Sequence, residues 1–485
     1  MSAITVSARS GAPEETAADT RVVALFEGET LAEAHLQELV ELGEAKPGLR
    51  KVATDHEDAP GGGRRRVLIA GMGKRDELDA EKARVAASAV AGKAKELGSV
   101  SLSWAAPAGV AGALVEGTLL KLYTFDRFKS KKEAESDEPE GGLESLEIAG
   151  SDVDPEAVER ARVVAVAQNA ARDLQNLPSN VADPVFLAGR AEQIAAQHDN
   201  LELEVLDGDA IEARGMGAFT AVAKGADSEP QLIVLRYRGG DEGPHLGFVG
   251  KAVTFDTGGI SLKPGAKMSE MKFDMSGGAA VLEAMAAIAA LDLPVTVTAV
   301  VPATENMPSG HATKPGDIVT ALNGKTIEIN NTDAEGRLIL ADSLSYAVEQ
   351  GVERIVNLAT LTGAIIVALG STHAGLFSND DDWVGEVEAA CTATGELGWR
   401  LPLHPEYAKL VKGKYADLDN APEGRKASSI TAAEFLHAFV DDVPWVHIDI
   451  AGTAWGLGRP YVGSGASGFG VRTLVELAGR AAGRP

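Results

Sequence analysis

From residue 178 to the C-terminus, short apolar segments alternate with longer segments of helical period, and this alternation restricts the fold more than any other feature of the chain. The strand candidates are QLIVLRYRG, HLGFVGKAVTF, PVTVTAVVPA, RIVNLATL and PWVHIDIAG. Several are apolar at consecutive positions, the pattern of strands buried on both faces. A sheet with helices on both sides satisfies that pattern, so the expected class is α/β, with a helix-covered mixed β-sheet. Ligands of such sheets bind beyond the carboxyl ends of the strands. Charged or Gly-rich sequence directly after a strand is therefore where chemistry is expected.

At 485 residues the chain exceeds one ordinary core, and its first third reads as a separate unit. RVVALFEG, RRRVLIAGMG and VSLSWAAP are strand candidates, with a helix expected over DELDAEKARVAASAVAGKAKELG. The segment KSKKEAESDEPEGGLESLEIAGSD that follows is charged and Gly-containing, which suits an exposed surface. Next comes DPEAVERARVVAVAQNAARDLQNLPSN, with Pro155 in its first turn and a stop at Leu177-Pro178. The expected organisation is a smaller N-terminal α/β domain over 1–150, a long connecting helix over 151–177, and a larger catalytic domain over 178–485.

Three knots of charge follow strand candidates in the larger region. NNTDAEGRL, at 330–338, places Asp333, Glu335 and Arg337 between a hairpin pattern with a tight primed turn at Asn323-Gly324 and a helix pattern. Thr332 and Glu335 have the spacing of a capping box, so the plain reading is a helix start. GFVGKAVTFDTGGISLKPG adds Lys251, Asp256 and Lys263, and MSEMKFDMSGG adds Asp274. Each has a structural explanation alone. Together they are four carboxylates and three cations at strand ends of one domain, and carboxylates that converge without counter-charge repel. A pair of divalent cations resolves this. A carboxylate-rich set suits Mn²⁺, Mg²⁺ or Zn²⁺. The nine histidines are scattered, and His447 in WVHIDI is expected to be packed, not to bind metal. GSGASG, at 463–468, mimics a dinucleotide loop but no βαβ unit follows, and NGKT, at 323–326, mimics a P-loop whose first glycine is replaced by Val319.

These knots are also the ones by which the chain resembles the leucyl aminopeptidase (cytosol aminopeptidase) family of di-metal exopeptidases. NTDAEGRL looks like that family's signature, and GKAVTFDTGGISLKP, MKFDMSGGAAV and NLATLTGA occur in its order and spacing. RDLQNLPSN and YTFDRFK resemble family segments outside the site; the match covers 165–485 and is weaker over the first 150 residues. The resemblance implies two divalent cations per subunit, Mn²⁺ or Zn²⁺. It implies Asp256 and Glu335 as bridging ligands, Asp333 completing one site, and Lys251 and Asp274 the other. It makes Lys263 and Arg337 catalytic, with Arg337 holding a bicarbonate that shuttles the proton to and from a metal-bridging hydroxide. It maps a first-residue pocket to Met271, Thr360, Gly363 and Ala451, and implies peptide substrates with apolar N-terminal residues and a homohexamer. All seven metal and catalytic positions keep the family's residue types.

The chemistry suits these types. Lys251 can ligate only as a neutral amine, which an adjacent cation would enforce. Lys263 can hold a developing oxyanion, and the planar fork of Arg337 suits a carboxylate-like anion. Two other readings compete. A di-metal phosphoesterase would ordinarily recruit histidine ligands. A DNA-binding assembly protein on the same fold would need a basic patch, whereas the chain carries a formal net charge of −26 and an acidic stretch at 133–146. Nucleic-acid and membrane partners are not expected. The N-terminus lacks a basic segment before an apolar core, and no run approaches the roughly 20 apolar residues that span a bilayer. GGAAVLEAMAAIAALDL reads as a buried helix. Cys391 is the only cysteine, so no internal disulfide forms, and a cytoplasmic location is expected.

Overall fold

The computed structural model describes residues 4–130, 142–240, 243–422, 424 and 426–483. The chain divides into two compact units, one running to Asn169 with Gly458–Gly463 added, the other spanning Ala170–Leu457 and resuming at Ser464. The helix Pro155–Asn176 begins on proline, whose missing N–H costs nothing in a first turn, and the boundary between the units falls inside it.

In the first unit β1 (Thr5–Arg9), β2 (Thr20–Phe26), β3 (Val52–Asp58), β4 (Arg64–Gly73), β5 (Ser101–Ala105) and β6 (Ser145–Ala149) form a six-stranded sheet in the order β1-β6-β5-β2-β4-β3. All pairs are parallel except β3 with β4. The helix Ala80–Glu96 lies within the expected segment but begins after Asp76–Asp79, with the Asp79 carboxylate as its cap accepting from Lys82 N at 2.7 Å. One expectation is corrected. The segment read as charged surface contains β6, whose Leu146 and Ile148 are fully buried between β1 and β5. Alternation of Leu146 and Ile148 with polar neighbours is a strand signal that the surrounding charge obscures. The part of that segment at 131–141 lies outside the described residues.

The second unit is built on β7 (Leu201–Leu206), β8 (Gln231–Arg238), β9 (Leu246–Gly250), β10 (Ala252–Asp256), β11 (Thr296–Asn306), β12 (Asp317–Thr320), β13 (Thr326–Ile329), β14 (Arg354–Ala359), β15 (Ala374–Ser378), β16 (Gly398–Arg400), β17 (Leu418–Asp419) and β18 (Trp445–Asp449). The nine-stranded sheet runs β16-β15-β18-β14-β9-β11-β8-β7, with β10 also pairing β11. It is mixed: β9, β11, β14, β18 and β10 make parallel pairs, and β7, β8 and β15 join antiparallel. Every residue of β9, β15 and β18 is buried, His447 and Asp449 of β18 included.

The helix Ser276–Ala290 lies against this sheet at very close range. A Cβ on Gly277 would stand 2.1 Å from Leu358 O, so only glycine lets the helix start there. The segment Met268–Ala290 is long and apolar enough to cross a bilayer, which the sequence reading had not credited; 89% of its apolar window is buried inside the protein, as a core helix requires. β12 and β13 form the expected hairpin, but not with a two-residue primed turn. Ala321 N donates to Lys325 O at 2.9 Å and Gly324 N to Ala321 O at 2.8 Å, and positive φ falls on Gly324 and not on Asn323. That is the three-residue connection ending in a left-handed glycine, and it also disposes of the P-loop mimic.

Candidate metal centre

Each charged knot is delivered by a strand end. Lys251 stands between β9 and β10, where its N–H donates to Leu358 O (3.0 Å) and its carbonyl accepts from Gly278 N (2.7 Å), which turns the side chain out of the sheet ladder. Asp256 closes β10, and Gly258 and Gly259 follow it with φ of 86° and 61°. Asp274 sits in the turn Met268–Met275. Asp333 and Glu335 lie between β13 and the helix Gly336–Glu349, and Arg337 is in that helix's first turn.

These side chains meet. Lys251 Nζ donates to Asp274 Oδ1 (2.8 Å), Glu335 Oε1 (2.8 Å) and Thr360 O (3.1 Å). Lys263 Nζ lies 2.7 Å from Asp256 Oδ2 and also pairs with Asp333 Oδ1. Carboxylate oxygens of Asp256, Asp333 and Glu335 lie within 4.8 Å of one another. Lys251, Asp256, Asp274, Glu335 and Arg337 are buried, none more than 8% exposed, while Lys263 reaches the open edge.

The capping-box reading is not what the structure contains. Thr332 Oγ1 donates to Gly258 O (2.7 Å) and accepts from Ser261 N (2.8 Å), tying the two loops together, and Glu335 occupies the cap position without a side-chain cap hydrogen bond. The glutamate is committed to the site instead.

The electrostatics follow from burial and crowding. Burial first, then the charge of Glu335, pushes Asp256 up to about 6. Burial, then Glu335 and Asp256, pushes Asp274 up to about 8 against the pull of Lys251. Asp333 is raised chiefly by burial. Glu335 goes the other way: burial opposes its ionisation, but Lys251 and Lys263 outweigh it. Burial would lower Lys251, yet Asp274, Glu335 and Asp256 hold it above its usual range, the reverse of what a ligand amine needs. The same carboxylates that raise it would be turned to a divalent cation, whose charge reverses the local logic.

The residues fit divalent cations. Glu335 Oε2 is buried with no hydrogen-bond partner, carboxylate oxygens of Asp256, Asp333 and Glu335 crowd together, and Asp256, Asp274 and Asp333 are raised first by burial and then by the charge of Glu335, a repulsion that a cation relieves. The fit to an oxyanion at Arg337 rests on its guanidinium: Nη1 donates to Asn420 O (2.6 Å), while Nε is buried without a partner. Burial lowers Arg337 to about 10, which leaves it cationic at neutral pH. Asp333, Arg337 and Gly363 line one cleft of about 750 Å³ together with Leu361 and Val367.

Of the four residues mapped to the substrate pocket, Thr360 touches Lys251 and Asp274. Its hydroxyl donates to Asp274 Oδ1 at 2.7 Å. Gly363 lines the cleft, Met271 is half-buried on the turn carrying Asp274, and Ala451 is buried with its N–H 3.3 Å from Asp449 Oδ1. His447 is a packed histidine as expected: its ring stacks on Phe377 and Trp445, Nδ1 pairs with Asn357 Nδ2 at 2.9 Å, and burial lowers it to about 3.

Three supporting residues escaped the sequence reading. Asn306 at the end of β11 donates to Asp256 Oδ1 (2.8 Å) and Thr332 O (3.0 Å). Asp449 at the end of β18 accepts from Leu361 N (3.1 Å) and Thr362 Oγ1 (2.6 Å). Asn420 grips the loop before Glu335. A polar residue closing a buried strand would have flagged Asn306 and Asp449; nothing in the local sequence marks Asn420.

Comparison with known proteins gives the family. Residues 169–475 match the model of the cytosol aminopeptidase family catalytic domain, and residues 15–132 match that family's N-terminal domain. A probable cytosol aminopeptidase of Solibacter usitatus is 47% identical over 470 residues, 95% of this chain and 96% of the relative. One from Roseiflexus castenholzii is 43% identical over 484 residues, covering 97% and 98%. Among solved structures, the bottromycin maturation enzyme BotP in complex with Mn superposes with a TM-score of 0.85 at 34% identity, covering 96% of this chain and all of that one.

Proposed function

This chain belongs to the cytosol aminopeptidase family and is a metal-dependent aminopeptidase, and from that premise we propose that it removes Leu and other apolar residues from the N-terminus of peptides, with Lys263 as electrophile and a bicarbonate held by Arg337 as proton carrier. The observation that carries this reading is the meeting of Asp256, Asp333 and Glu335 oxygens within 4.8 Å, beside two lysines and with Glu335 Oε2 unpartnered.

We assign metal binding to Lys251, Asp256, Asp274, Asp333 and Glu335, which would together hold two divalent cations, Mn²⁺ or Zn²⁺. Two such cations supply Lewis acidity and acidify water when bound. The remaining work belongs to the chain. Asn306 and Gly258 N–H both hold Asp256 Oδ1, at 2.8 Å each, and so orient Oδ2. Thr360 does the same for Asp274. Lys263 at the open edge donates to the carbonyl oxygen of the scissile bond as negative charge builds on it. Arg337, anchored through one nitrogen, presents the rest of its fork to an oxyanion. Met271, Thr360, Gly363 and Ala451 form the first-residue pocket, where burying a leucyl side chain contributes about 1.5–3 kcal/mol. We place the enzyme in the cytoplasm as a homohexamer, divided at 1–150, 151–177 and 178–485.

Elemental analysis together with rates on Leu-p-nitroanilide and p-nitrophenyl phosphate tests the reading. The expected result is two metal ions per chain and amide hydrolysis only. Phosphatase activity without amide hydrolysis would assign the centre to a phosphoesterase. Light scattering that gave a monomer for the active species would remove the hexamer.

A further inference from the structure

Between the end of β13 at Ile329 and the start of the helix at Gly336, the chain carries Asp333 and Glu335 with no sheet ladder to hold it. Thr332 is held by Ser261 and Asn306, and the main chain on either side of it is served by one distant side chain. Asn420 Oδ1 accepts from Asn330 N (2.9 Å) and Asn331 N (3.2 Å), and Asn420 Nδ2 donates to Asn331 O (2.7 Å) and Ala334 O (3.4 Å). A carboxamide has two acceptor sites and two donors, and all four are spent on this loop. The residue is fully buried, and its own N–H is tied to Glu328 O at 3.0 Å. Its carbonyl oxygen accepts from Arg337 Nη1 at 2.6 Å.

We infer that Asn420 is a positioning residue that sets the spacing of Asp333 and Glu335 and the aim of Arg337 together, and thereby the metal affinity of the centre, without touching metal or substrate. The inference rests on the reading of Asp333 and Glu335 as ligands. Its chemistry is particular to asparagine. Aspartate would turn an acceptor toward Asn331 O and Ala334 O, and alanine would leave two N–H and two C=O groups without their partner. Residues that orient metal ligands from behind typically change metal affinity or activity by about 10–100-fold when replaced.

The test compares wild type, Asn420→Ala and Asn420→Asp, each stripped and titrated with Mn²⁺ against a chelating dye, with kcat and KM for Leu-p-nitroanilide measured across Mn²⁺ concentrations. The expected result is two Mn²⁺ per wild-type chain and affinity weaker by about 10–100-fold in both variants. Half-maximal activity should move to correspondingly higher Mn²⁺, and at saturating Mn²⁺ kcat should fall while KM stays within about twofold. Should Asn420→Ala fail to fold, Asn420→Ser, whose hydroxyl serves part of the same loop, carries the test. Variants that melt lower but bind Mn²⁺ as wild type does would make Asn420 merely structural and overturn the inference. A wild-type chain that takes up no Mn²⁺ would instead overturn the metal-centre reading on which it rests.

Discussion

Lys251 Nζ donates to Glu335 Oε1 at 2.8 Å although 84 positions separate the two residues, and both are buried. The same ammonium reaches Asp274, so one cation holds two carboxylates that would otherwise repel. Lys251→Met keeps most of the unbranched side chain and removes the charge. Losing one partner of a buried ion pair costs about 3–5 kcal/mol. Chelator-treated Lys251→Met should therefore unfold at lower urea than chelator-treated wild type. Coincident curves would mean that the ion pair does not hold the metal-free site together.

Prolonged chelation should abolish peptide hydrolysis, and Mn²⁺ or Zn²⁺ should restore it, because no side chain at the centre is placed as an activated nucleophile of its own. Elemental analysis run beside the assay ties rate to occupancy. Full activity in protein shown to be metal-free would sink the assignment.

Lys263→Ala should lower kcat by about 10²–10³-fold, the usual loss of an oxyanion donor, while metal content stays at the wild-type level. Removing an ammonium that pairs with Asp256 and Asp333 leaves those carboxylates freer for cations, so weaker metal binding is not the expected route to lost activity. Arg337→Ala should be milder, and added bicarbonate should restore part of the rate. Loss of bound metal from Arg337→Ala would show that the arginine is structural.

What the sequence displayed was residue type at strand ends. QLIVLRYRG, PVTVTAVVPA, RIVNLATL and PWVHIDIAG correspond to β8, β11, β14 and β18, because strands buried on both faces are mostly apolar on both. HLGFVGKAVTF reads as one strand but is β9 and β10, interrupted at Lys251; both pair parallel with β11, while the pairing with β14 ends at Gly250. β6 was hidden by the charges around it. The partners of the site were hidden for a different reason. Asn306 lies 50 residues from Asp256 and Asn420 lies 89 from Asn331, so their hydrogen bonds are set by tertiary packing and leave no local pattern. Thr332 shows the converse: a good local capping signal lost to a long-range bond with Gly258.

An aminopeptidase of this kind should discriminate sharply against a blocked N-terminus. A free amine carries a lone pair and a small footprint; acetylation removes the first and enlarges the second. N-acetyl-Leu-Gly-Gly should be cleaved at least about a thousandfold more slowly than Leu-Gly-Gly, or about 4 kcal/mol of transition-state binding. Comparable kcat/KM for the two peptides would make the enzyme indifferent to the amine.

Away from the centre, Asp342 gives a pH dependence to stability. Its Oδ2 accepts from Phe219 N (2.8 Å) and its Oδ1 from Leu322 N (2.7 Å), so it staples the helix Gly217–Ala223 and the β12–β13 connection to the helix Gly336–Glu349. Burial pushes it up to about 7, against the opposing pull of those backbone donors. A carboxyl that titrates near 7 when folded and near 3.8 when unfolded holds an extra proton in the native state between those values. Its contribution is then fully present below about pH 4, is lost as pH rises, and is spent above about 7, with a slope of at most about 1.4 kcal/mol per pH unit. Asp342→Asn does not titrate and turns an N–H donor toward one of the two amides. The variant should be less stable than wild type, and the gap should narrow steadily as pH is raised from about 4 to 7. Urea midpoints of both proteins across that range measure it. A gap that stayed constant would mean that Asp342 is ionised throughout and that the backbone donors outweigh its burial.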